Sequence, residues 1–285
     1  MTNTLTLRLM RRDELATLIS WAAEEGWNPG LQDAELFWLT DPEAFIAAES
    51  QGELVGGGAI TSYGGEFGFM GLFIVHPGWR GRGIGGRLWH ARVQLLRSRL
   101  RPGASIGMDG VFAMRDWYAR GGFSFSHRSI RYQTRGQPAV ADGRVVPVSE
   151  VAIDRLLAYD RRCFPAPRED FVRRWLAQAG GLALAAVERD EVRGYGVIRR
   201  CHEGAKIGPL FADDAGVAEA LFASLAAHVP DEPVFIDVPE VNAWAMSLAA
   251  RREMRQVFGC ARMYLGPEPR IDISRVYGIT TFELG

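Results

Sequence analysis

The two halves of this 285-residue chain repeat one another in outline, and that repetition limits the folds it can adopt. Four short segments recur in the same order at similar offsets: residues 52–60 match 190–198, 70–73 match 207–210, 108–109 match 236–237, and 131–132 match 263–264. One such match arises easily by chance, but four in the same order indicate a duplication. Since the chain is also long for a single core, we expect two copies of one fold.

Each copy has the pattern of an α/β fold with a mixed sheet. In the first half, residues 44–48, 54–62 and 67–75 resemble strands separated by glycine turns, which predicts an antiparallel meander. A helical segment at 84–97 and a strand at 105–109 follow and predict one βαβ crossover, and a strand at 123–132 completes the unit. We therefore predict two tandem domains, residues 1–135 and 146–285, joined by a polar linker at 136–145.

The composition narrows the choice of partners. The chain has 33 basic and 34 acidic residues without a block of like charge, so we expect neither a nucleic acid nor an anionic membrane as partner. A small neutral or amine-bearing substrate fits better. The chain has no apolar run near 18 residues and no leader in its first six, so a cytoplasmic location is expected. Three widely spaced cysteines, Cys163, Cys201 and Cys260, predict reduced thiols, and the oligomeric state stays open.

A glycine-rich loop in the first half has the features of an anion site. The run Arg80-Gly81-Arg82-Gly83-Ile84-Gly85-Gly86 stands between a predicted strand and a predicted helix. Such a helix start leaves backbone N–H groups unpaired at the positive end of the helix dipole, and glycines allow close approach. The second half has Phe211-Ala212-Asp213-Asp214-Ala215-Gly216 at the matching place, and its aspartates would repel a phosphate. One anion site per chain is expected.

Three phosphate-binding patterns compete for this loop. A P-loop requires Gly-Lys followed by Ser or Thr, which the loop lacks. The dinucleotide fingerprint is formally present in Gly81, Gly83 and Gly86, with Asp109 closing the next strand, and would indicate an NAD-dependent oxidoreductase. That fingerprint should directly follow its strand and open a run of alternating strands and helices. Here Pro77 intervenes and an antiparallel meander precedes the loop, which disfavours this alternative.

The third pattern resembles a known superfamily. The run Arg80-Gly81-Arg82-Gly83-Ile84-Gly85 fits Arg/Gln-x-x-Gly-x-Gly/Ala and, with residues 75–79 before it, resembles the coenzyme A loop of the GNAT N-acetyltransferases. The segment Tyr118-Ala119-Arg120-Gly121-Gly122-Phe123 resembles the end of that superfamily's last helix. The whole chain is similar to bacterial two-domain members whose second GNAT half is degenerate. Residues 26–30 and 277–285 contribute to that likeness.

The resemblance implies acetyl-CoA as co-substrate. The pantetheine arm would pair with the strand before the loop, at Phe73, Ile74 and Val75, and an N–H near Phe73 would receive the acetyl carbonyl. The pyrophosphate would lie on residues 82–86, and the loop residues that bind the coenzyme would be Arg80, Gly81, Arg82, Gly83, Ile84, Gly85 and Gly86. No metal is expected, because the only dense group of ligand types, Cys201-His202-Glu203, lacks a spaced partner pair.

The superfamily pattern also suggests catalytic residues. Tyr118 is the candidate general acid for the leaving thiolate, with packing under the sheet as the alternative. Asp109 would bind the substrate amine or relay its proton, or it caps the following helix. Glu25 and Trp27 would form the acceptor wall, unless they belong to a solvated helix end. The leading hypothesis is transfer of an acetyl group to a small primary amine by direct attack; a non-catalytic acyl-CoA-binding module is the alternative.

Overall fold

A computed structural model describes residues 5–285, which form thirteen β-strands and eight α-helices. The strands are β1 Leu5–Leu9, β2 Phe45–Ser50, β3 Glu53–Tyr63, β4 Phe67–Val75, β5 Ser105–Val111, β6 Ser124–Arg135, β7 Val145–Pro147, β8 Leu182–Glu188, β9 Glu191–Arg200, β10 Ala205–Ala212, β11 Pro233–Pro239, β12 Arg255–Leu265 and β13 Val276–Gly278. The helices are α1 Arg12–Glu24, α2 Asp33–Thr40, α3 Ile84–Ser98, α4 Arg115–Arg120, α5 Ile153–Cys163, α6 Glu169–Leu176, α7 Ala215–Ala226 and α8 Ala243–Arg251. Most of the first six residues, on which the expectation of no leader rests, lie outside the described range.

Both halves contain the predicted meander and crossover. Strands β1 to β4 are antiparallel neighbours, and α3 connects β4 to its parallel neighbour β5. In the second half, β8 to β10 are antiparallel, and α7 connects β10 to the parallel β11. The predicted fold class, two tandem copies of an α/β unit with a mixed sheet, is therefore confirmed. None of the helices within residues 5–285 has the length and apolar character needed to cross a membrane.

The last strands of the two halves are exchanged. The sheet order is β1-β2-β3-β4-β5-β12-β6-β11-β10-β9-β8-β7, so β12 lies beside β5 while β6 lies beside β11. The prediction that the strand at 123–132 completes the first unit is thus wrong, because that strand, β6, pairs with β11 and β12 of the second half. The exchange makes one continuous sheet and leaves neither half a complete unit.

Two buried ion pairs lie at equivalent places in the exchange. Asp109 of β5 is directly opposite Arg262 of β12, and Asp237 of β11 is directly opposite Arg131 of β6. In each pair the guanidinium donates two hydrogen bonds to the carboxylate, at 2.8 and 2.7 Å in the first and 2.6 and 2.8 Å in the second. The duplication seen in the sequence thus extends to the contacts that fix the exchanged strands.

The helices divide the first half into two faces. Helices α1 and α2 pack on one face with Leu72 and Ile74 of β4, and α3 packs on the other with Met70. The last ten residues, 276–285, are all buried. They run along the first of these faces, where the hydroxyl of Tyr63 donates to the carbonyl of Leu284 at 2.7 Å. A Cβ at Gly71 would lie 1.9 Å from the carbonyl oxygen of Glu283, so only glycine fits beneath the tail.

The exchange predicts how the chain responds to a cut in the linker. The assignment of residues 1–135 and 146–285 as separate domains stays a prediction, and Val140 in the linker between them is 95% exposed. With a protease site inserted at this position, we expect the cleaved halves to co-elute as one species in size-exclusion chromatography, because β12 and β6 pair across the cut. Dissociation into two folded halves without denaturant would contradict the exchange.

Candidate functional site

The parallel strands β4 and β5 separate part-way along their length. Their pairing runs from Phe67 with Ser105 to Met70 with Met108 and then ends. Beyond that point β4 continues for five residues and β5 for three, without pairing to each other. This gap exposes strand edges whose N–H and C=O groups can pair with an added extended chain.

Strand β4 contains a bulge at the start of this gap. Gly57 pairs with Ile74 and Ala59 with Gly71, so the two residues Leu72 and Phe73 lie opposite the single Gly58. Leu72 has a φ of +49°, which a branched side chain rarely adopts. A bulge leaves ladder groups unpaired and turns them away from the neighbouring strand. It therefore offers backbone donors to a ligand in the gap.

A cavity of about 500 Å³ occupies the gap, and both halves of the chain line it. The first half contributes β4, the glycine-rich loop and aromatic side chains of α3 and α4. The second half contributes four residues that the sequence reasoning missed: Phe258, Cys260, Phe282 and Glu283. The exchanged strand β12 and the buried tail bring these residues to the cavity. Local sequence patterns predict neither the exchange nor the path of the tail. The one signal in the sequence was the likeness of residues 277–285 to two-domain proteins.

The glycine-rich loop has the backbone that an anion site requires. Gly81 and Gly83 have φ values of +76° and +77°, and Gly83 is the N-cap of α3. A Cβ at Gly81, Gly83 or Gly86 would meet no atom within 4 Å, so the space above the loop is open. The first turn of α3 carries no acidic residue. Its unpaired N–H groups are therefore available to a phosphate.

The matching helix start in the second half is already occupied. Helix α7 begins after Asp214, whose carboxylate accepts hydrogen bonds from the N–H groups of Gly216 and Val217, both at 2.9 Å. The N-cap carboxylate takes the place that an anion would fill. This agrees with the expectation of a single anion site in the first half.

The structure brings most of the predicted coenzyme residues to the cavity. Its lining includes Phe73, Ile74, Val75, Arg80, Gly81, Gly83, Gly85 and Gly86. Arg82 and Ile84 do not line it. The Arg82 guanidinium stacks on Trp79 at 4.7 Å and donates to the carbonyl of Gly78 at 3.0 Å, whereas Ile84 is buried in the core beneath α3. Ile84 can therefore contribute only its backbone.

Tyr118 lies in the cavity on the α3 face of the sheet. Its ring packs against Trp89 and Trp117, with centroid distances of 5.1 and 5.5 Å. Gly110 of β5 makes room for it, since a Cβ there would lie 2.4 Å from the ring. Burial raises the pKa of Tyr118 to about 12, so the phenol stays protonated at neutral pH. The hydroxyl makes no hydrogen bond to any residue between 5 and 285.

Asp109 also lines the cavity, from the opposite face. It alternates along β5 with Met108 and Gly110, which face α3. Its carboxylate is held by two hydrogen bonds from Arg262, and its side chain has no exposed surface. Burial raises the pKa of Asp109 in spite of that partner. The geometry favours Asp109 as the anchor of β12 over the proton relay that its position suggested.

Glu283 is the carboxylate that the sequence reasoning missed. It reaches the cavity from the tail that covers Gly71, on the same face as Asp109. One oxygen accepts a hydrogen bond from the Thr281 hydroxyl at 2.6 Å, and the backbone N–H of Glu283 donates back to that hydroxyl at 2.8 Å. The other oxygen has no hydrogen-bond partner in the described part of the chain. Glu283 is thus fixed in place with one oxygen free.

Glu25 and Trp27 both line the cavity, at the end of α1 and in the loop after it. Glu25 forms an ion pair with Arg80, which also donates to the carbonyl of Val75 at 2.9 Å. The exchanged strand β6 fixes the Trp27 loop, since its Arg131 donates to the Trp27 carbonyl at 2.5 Å. The predicted acceptor wall therefore sits at the cavity, supported by a residue of the exchanged strand β6.

The three cysteines are buried and unpaired, and Cys260 lines the cavity. Burial raises the pKa of the Cys260 thiol well above its usual value, so no thiolate is available there at neutral pH. Within residues 5–285, no group of three or more His, Cys, Asp or Glu residues is placed to hold a metal ion.

Comparisons with known proteins match both halves. A profile described as the acetyltransferase (GNAT) family matches residues 12–123, and one described as an acetyltransferase (GNAT) domain matches residues 156–278. A relative from Pseudoalteromonas sp. strain SANK 73390, named holothin acyltransferase, is 29% identical over 275 residues, which cover 96% of this chain and 92% of the relative.

Solved structures share the fold of the whole chain. A Pyrococcus horikoshii protein, itself only inferred to be an acetyltransferase, has a TM-score of 0.84 and 24% identity, with 99% of this chain and 96% of that chain covered. A tandem GNAT protein from the clavulanic acid biosynthesis pathway has a TM-score of 0.65 and 18% identity, with 93% and 100% covered. At these identities the likeness shows the fold alone.

The equivalent ion pairs allow a test of the role of Asp109. Asp109→Asn and Asp237→Asn each leave a buried guanidinium without its counter-charge, so we expect both to lower the free energy of unfolding by about 3–5 kcal/mol. Denaturant titration of the two variants measures this, with Asp237→Asn as the matched control outside the cavity. If Asp109→Asn left stability unchanged, Asp109 would not be an anchor.

Proposed function

The chain belongs to the GNAT acetyltransferase family, with one copy of the fold in each half, and from that premise we propose that it transfers an acetyl group from acetyl-CoA to a primary amine of a small molecule. The observation that carries the proposal is the gap between β4 and β5, which joins the open glycine loop to a buried tyrosine and a free carboxylate. The acyltransferase activity follows from the family. The donor, the acceptor and the chemical path are the parts proposed here.

We propose that the parts of the coenzyme follow one another along the cavity. The pyrophosphate would lie on the N–H groups at the start of α3, from Gly83 to Gly86. The pantetheine arm would pair with the edge of β4 that faces the gap, between Phe73 and Val75, as an added strand. The thioester carbonyl would then meet an amide of the bulge, at Leu72 or Phe73.

The proposed reaction is a direct attack. The amine nitrogen bonds to the thioester carbon, and the carbonyl electron pair moves to oxygen, where the bulge amides stabilise it. The tetrahedral intermediate then re-forms its carbonyl and expels the coenzyme thiolate. Tyr118 gives its proton to that thiolate, and Glu283 receives the proton lost by the attacking nitrogen. Exchange with water restores both groups.

The two faces of the sheet suit these opposite proton transfers. Tyr118 lies on the α3 face with a protonated phenol, and Glu283 lies on the α1 face with a free oxygen. An acyl-enzyme path through Cys260 is disfavoured, because burial keeps its thiol protonated. Asp109, paired with Arg262, supports the site as the anchor of β12.

The acceptor that we propose is a small-molecule amine, and neither a nucleic acid nor a membrane. The acceptor side of the cavity is bounded by Trp27, Phe258 and Phe282, with Glu25 and Glu283 as charged groups. Such a site can hold an apolar amine by its body and orient its nitrogen at a carboxylate. One relative across both halves is named for holothin, so holothin belongs in the panel of acceptors to be tested.

Coenzyme binding tests the loop and separates the proposal from a dinucleotide enzyme. Gly83→Glu puts a negative charge into the phosphate site and should weaken acetyl-CoA binding at least about 100-fold, since a like-charge contact costs several kcal/mol. Gly103→Glu is the matched control, because Gly103 also has a positive φ and open space but lies in a turn outside the cavity. Calorimetric titration of the wild type and of both variants with acetyl-CoA and with NADH measures the binding. Binding of NADH in place of acetyl-CoA would contradict the proposal.

Turnover separates an enzyme from a module that only binds acyl-CoA. We expect thiol release with at least one amine of the panel, and Tyr118→Phe and Glu283→Gln should each lower kcat by about 100-fold or more, as the loss of a general acid or base does. Glu66→Gln is the control, a carboxylate paired with Arg101 outside the cavity. Activity unchanged in both variants would contradict the assigned roles.

A further inference from the structure

Arg92 occupies a position of α3 that normally holds an apolar side chain. Leu88 and Leu96, one turn before and after it, are fully buried against the sheet. Arg92 is equally buried, with 0% exposure, and it lines the cavity. The buried guanidiniums elsewhere each have an aspartate partner: Arg131 with Asp237, Arg168 with Asp160, Arg199 with Asp33, and Arg262 with Asp109. Arg92 has no carboxylate within ion-pair distance between residues 5 and 285.

The guanidinium of Arg92 fills the bulge between β3 and β4. Its Nη2 donates to the carbonyl of Ala59 at 2.6 Å and to the carbonyl of Gly71 at 2.7 Å, the two residues that pair at one end of the bulge. Gly58, opposite the bulge, leaves the space for it, because a Cβ there would lie 2.5 Å from Cζ. Arg92 thus satisfies backbone acceptors on both strands and fixes the local register.

Two nitrogens of the same guanidinium have no hydrogen-bond partner among residues 5–285. Both Nε and Nη1 are buried without a hydrogen bond. The guanidinium also lies over the ring of Phe73, 5.1 Å from its centroid. Burial lowers the pKa of Arg92 to about 9, and the group therefore still carries its charge at neutral pH. A buried charge without a counter-charge lowers stability, so the site holds this cation at a cost.

The charge lies where the proposed reaction creates negative charge. Phe73 belongs to the bulge, and Tyr118 is close enough to interact electrostatically with the guanidinium. The oxyanion forms at the bulge, and negative charge passes to the coenzyme sulfur beside Tyr118. In a buried site, a fixed cation stabilises such charge more strongly than it would in water.

We propose that Arg92 is a positioning residue of the acyl-transfer site: it holds the β4 bulge in the conformation that aims its amides at the thioester carbonyl, and its uncompensated charge stabilises the oxyanion through those amides. This inference rests on the proposed function. It predicts that the charge matters in addition to the hydrogen bonds. A group that only filled the bulge would be replaceable by a neutral amide.

Two variants separate charge from packing. Arg92→Gln keeps amide donors and removes the charge, whereas Arg92→Lys keeps the charge and loses the forked geometry. Gly58→Ala is a third variant, which leaves Arg92 in the chain and displaces its guanidinium. Leu96→Met is the control, a volume-conserving change in the same buried face of α3.

The measurement is the infrared carbonyl frequency of acetyl-CoA labelled with carbon-13 at the acetyl carbonyl, bound to each variant. Kd for acetyl-CoA and kcat with an accepted amine are measured alongside. In the wild type and in Leu96→Met, the bound carbonyl should absorb at a lower frequency than in water, because the bulge amides polarise it. Arg92→Gln and Gly58→Ala should keep Kd within about threefold, lose most of that shift, and lower kcat by about 100-fold or more, the usual cost of losing an oxyanion donor. Arg92→Lys should give a carbonyl shift and a kcat between those of these two variants and those of the wild type.

The outcomes are distinct. Equal carbonyl shifts and equal kcat in the wild type, Arg92→Gln and Gly58→Ala would overturn the role of Arg92 while the proposed function stands. Loss of kcat with an unchanged carbonyl frequency would overturn it as well, since Arg92 would then act elsewhere. A wild type that binds acetyl-CoA but turns over no amine and shows no shift would overturn the proposed function, and this inference with it.

Discussion

The exchange of β12 for β6 is the constraint on which the site depends. Strand β5 is bound along one edge by β12, where Arg262 holds Asp109, and its other edge parts from β4 after Met108. Because β5 is paired with β12 along one edge, its other edge can stay apart from β4 without disrupting the sheet. The exchange also carries Phe258 and Cys260 of β12 to the cavity.

The second half thus acts on the site without an anion site of its own. Its helix α7 has its start capped by Asp214, while its strand β12 and its tail line the cavity with Phe258, Cys260, Phe282 and Glu283. Glu283 supplies a free carboxylate, and Asp237 of β11 holds Arg131, which in turn anchors the carbonyl of Trp27. A duplication in which the first copy keeps the glycine-rich loop and the second adds residues to the same cavity is consistent with this division.

The sequence predicted what depends on local structure. Three features could be predicted because each signal lies within one or two elements: the glycines at the start of helix α3, the Tyr118 segment, and the strand and helix pattern of the first half. The exchange of β12 for β6 could not be predicted, since the two strands have similar patterns and either could complete the first unit. Glu283 was missed because its contact with Gly71 joins residues more than two hundred positions apart. The burial of Arg92 was not predicted, because an arginine in an amphipathic helix normally indicates a solvated face.

In the mechanism that we propose, the coenzyme lies in the gap between β4 and β5 with its thioester at the bulge. A crystal structure with a non-hydrolysable acetyl-CoA analogue tests it most directly. We expect the pantetheine arm to pair with β4 from Phe73 to Val75 and the acyl oxygen to lie within hydrogen-bond distance of an amide of Leu72 or Phe73. A coenzyme bound elsewhere, or β4 and β5 closed together in the complex, would contradict it.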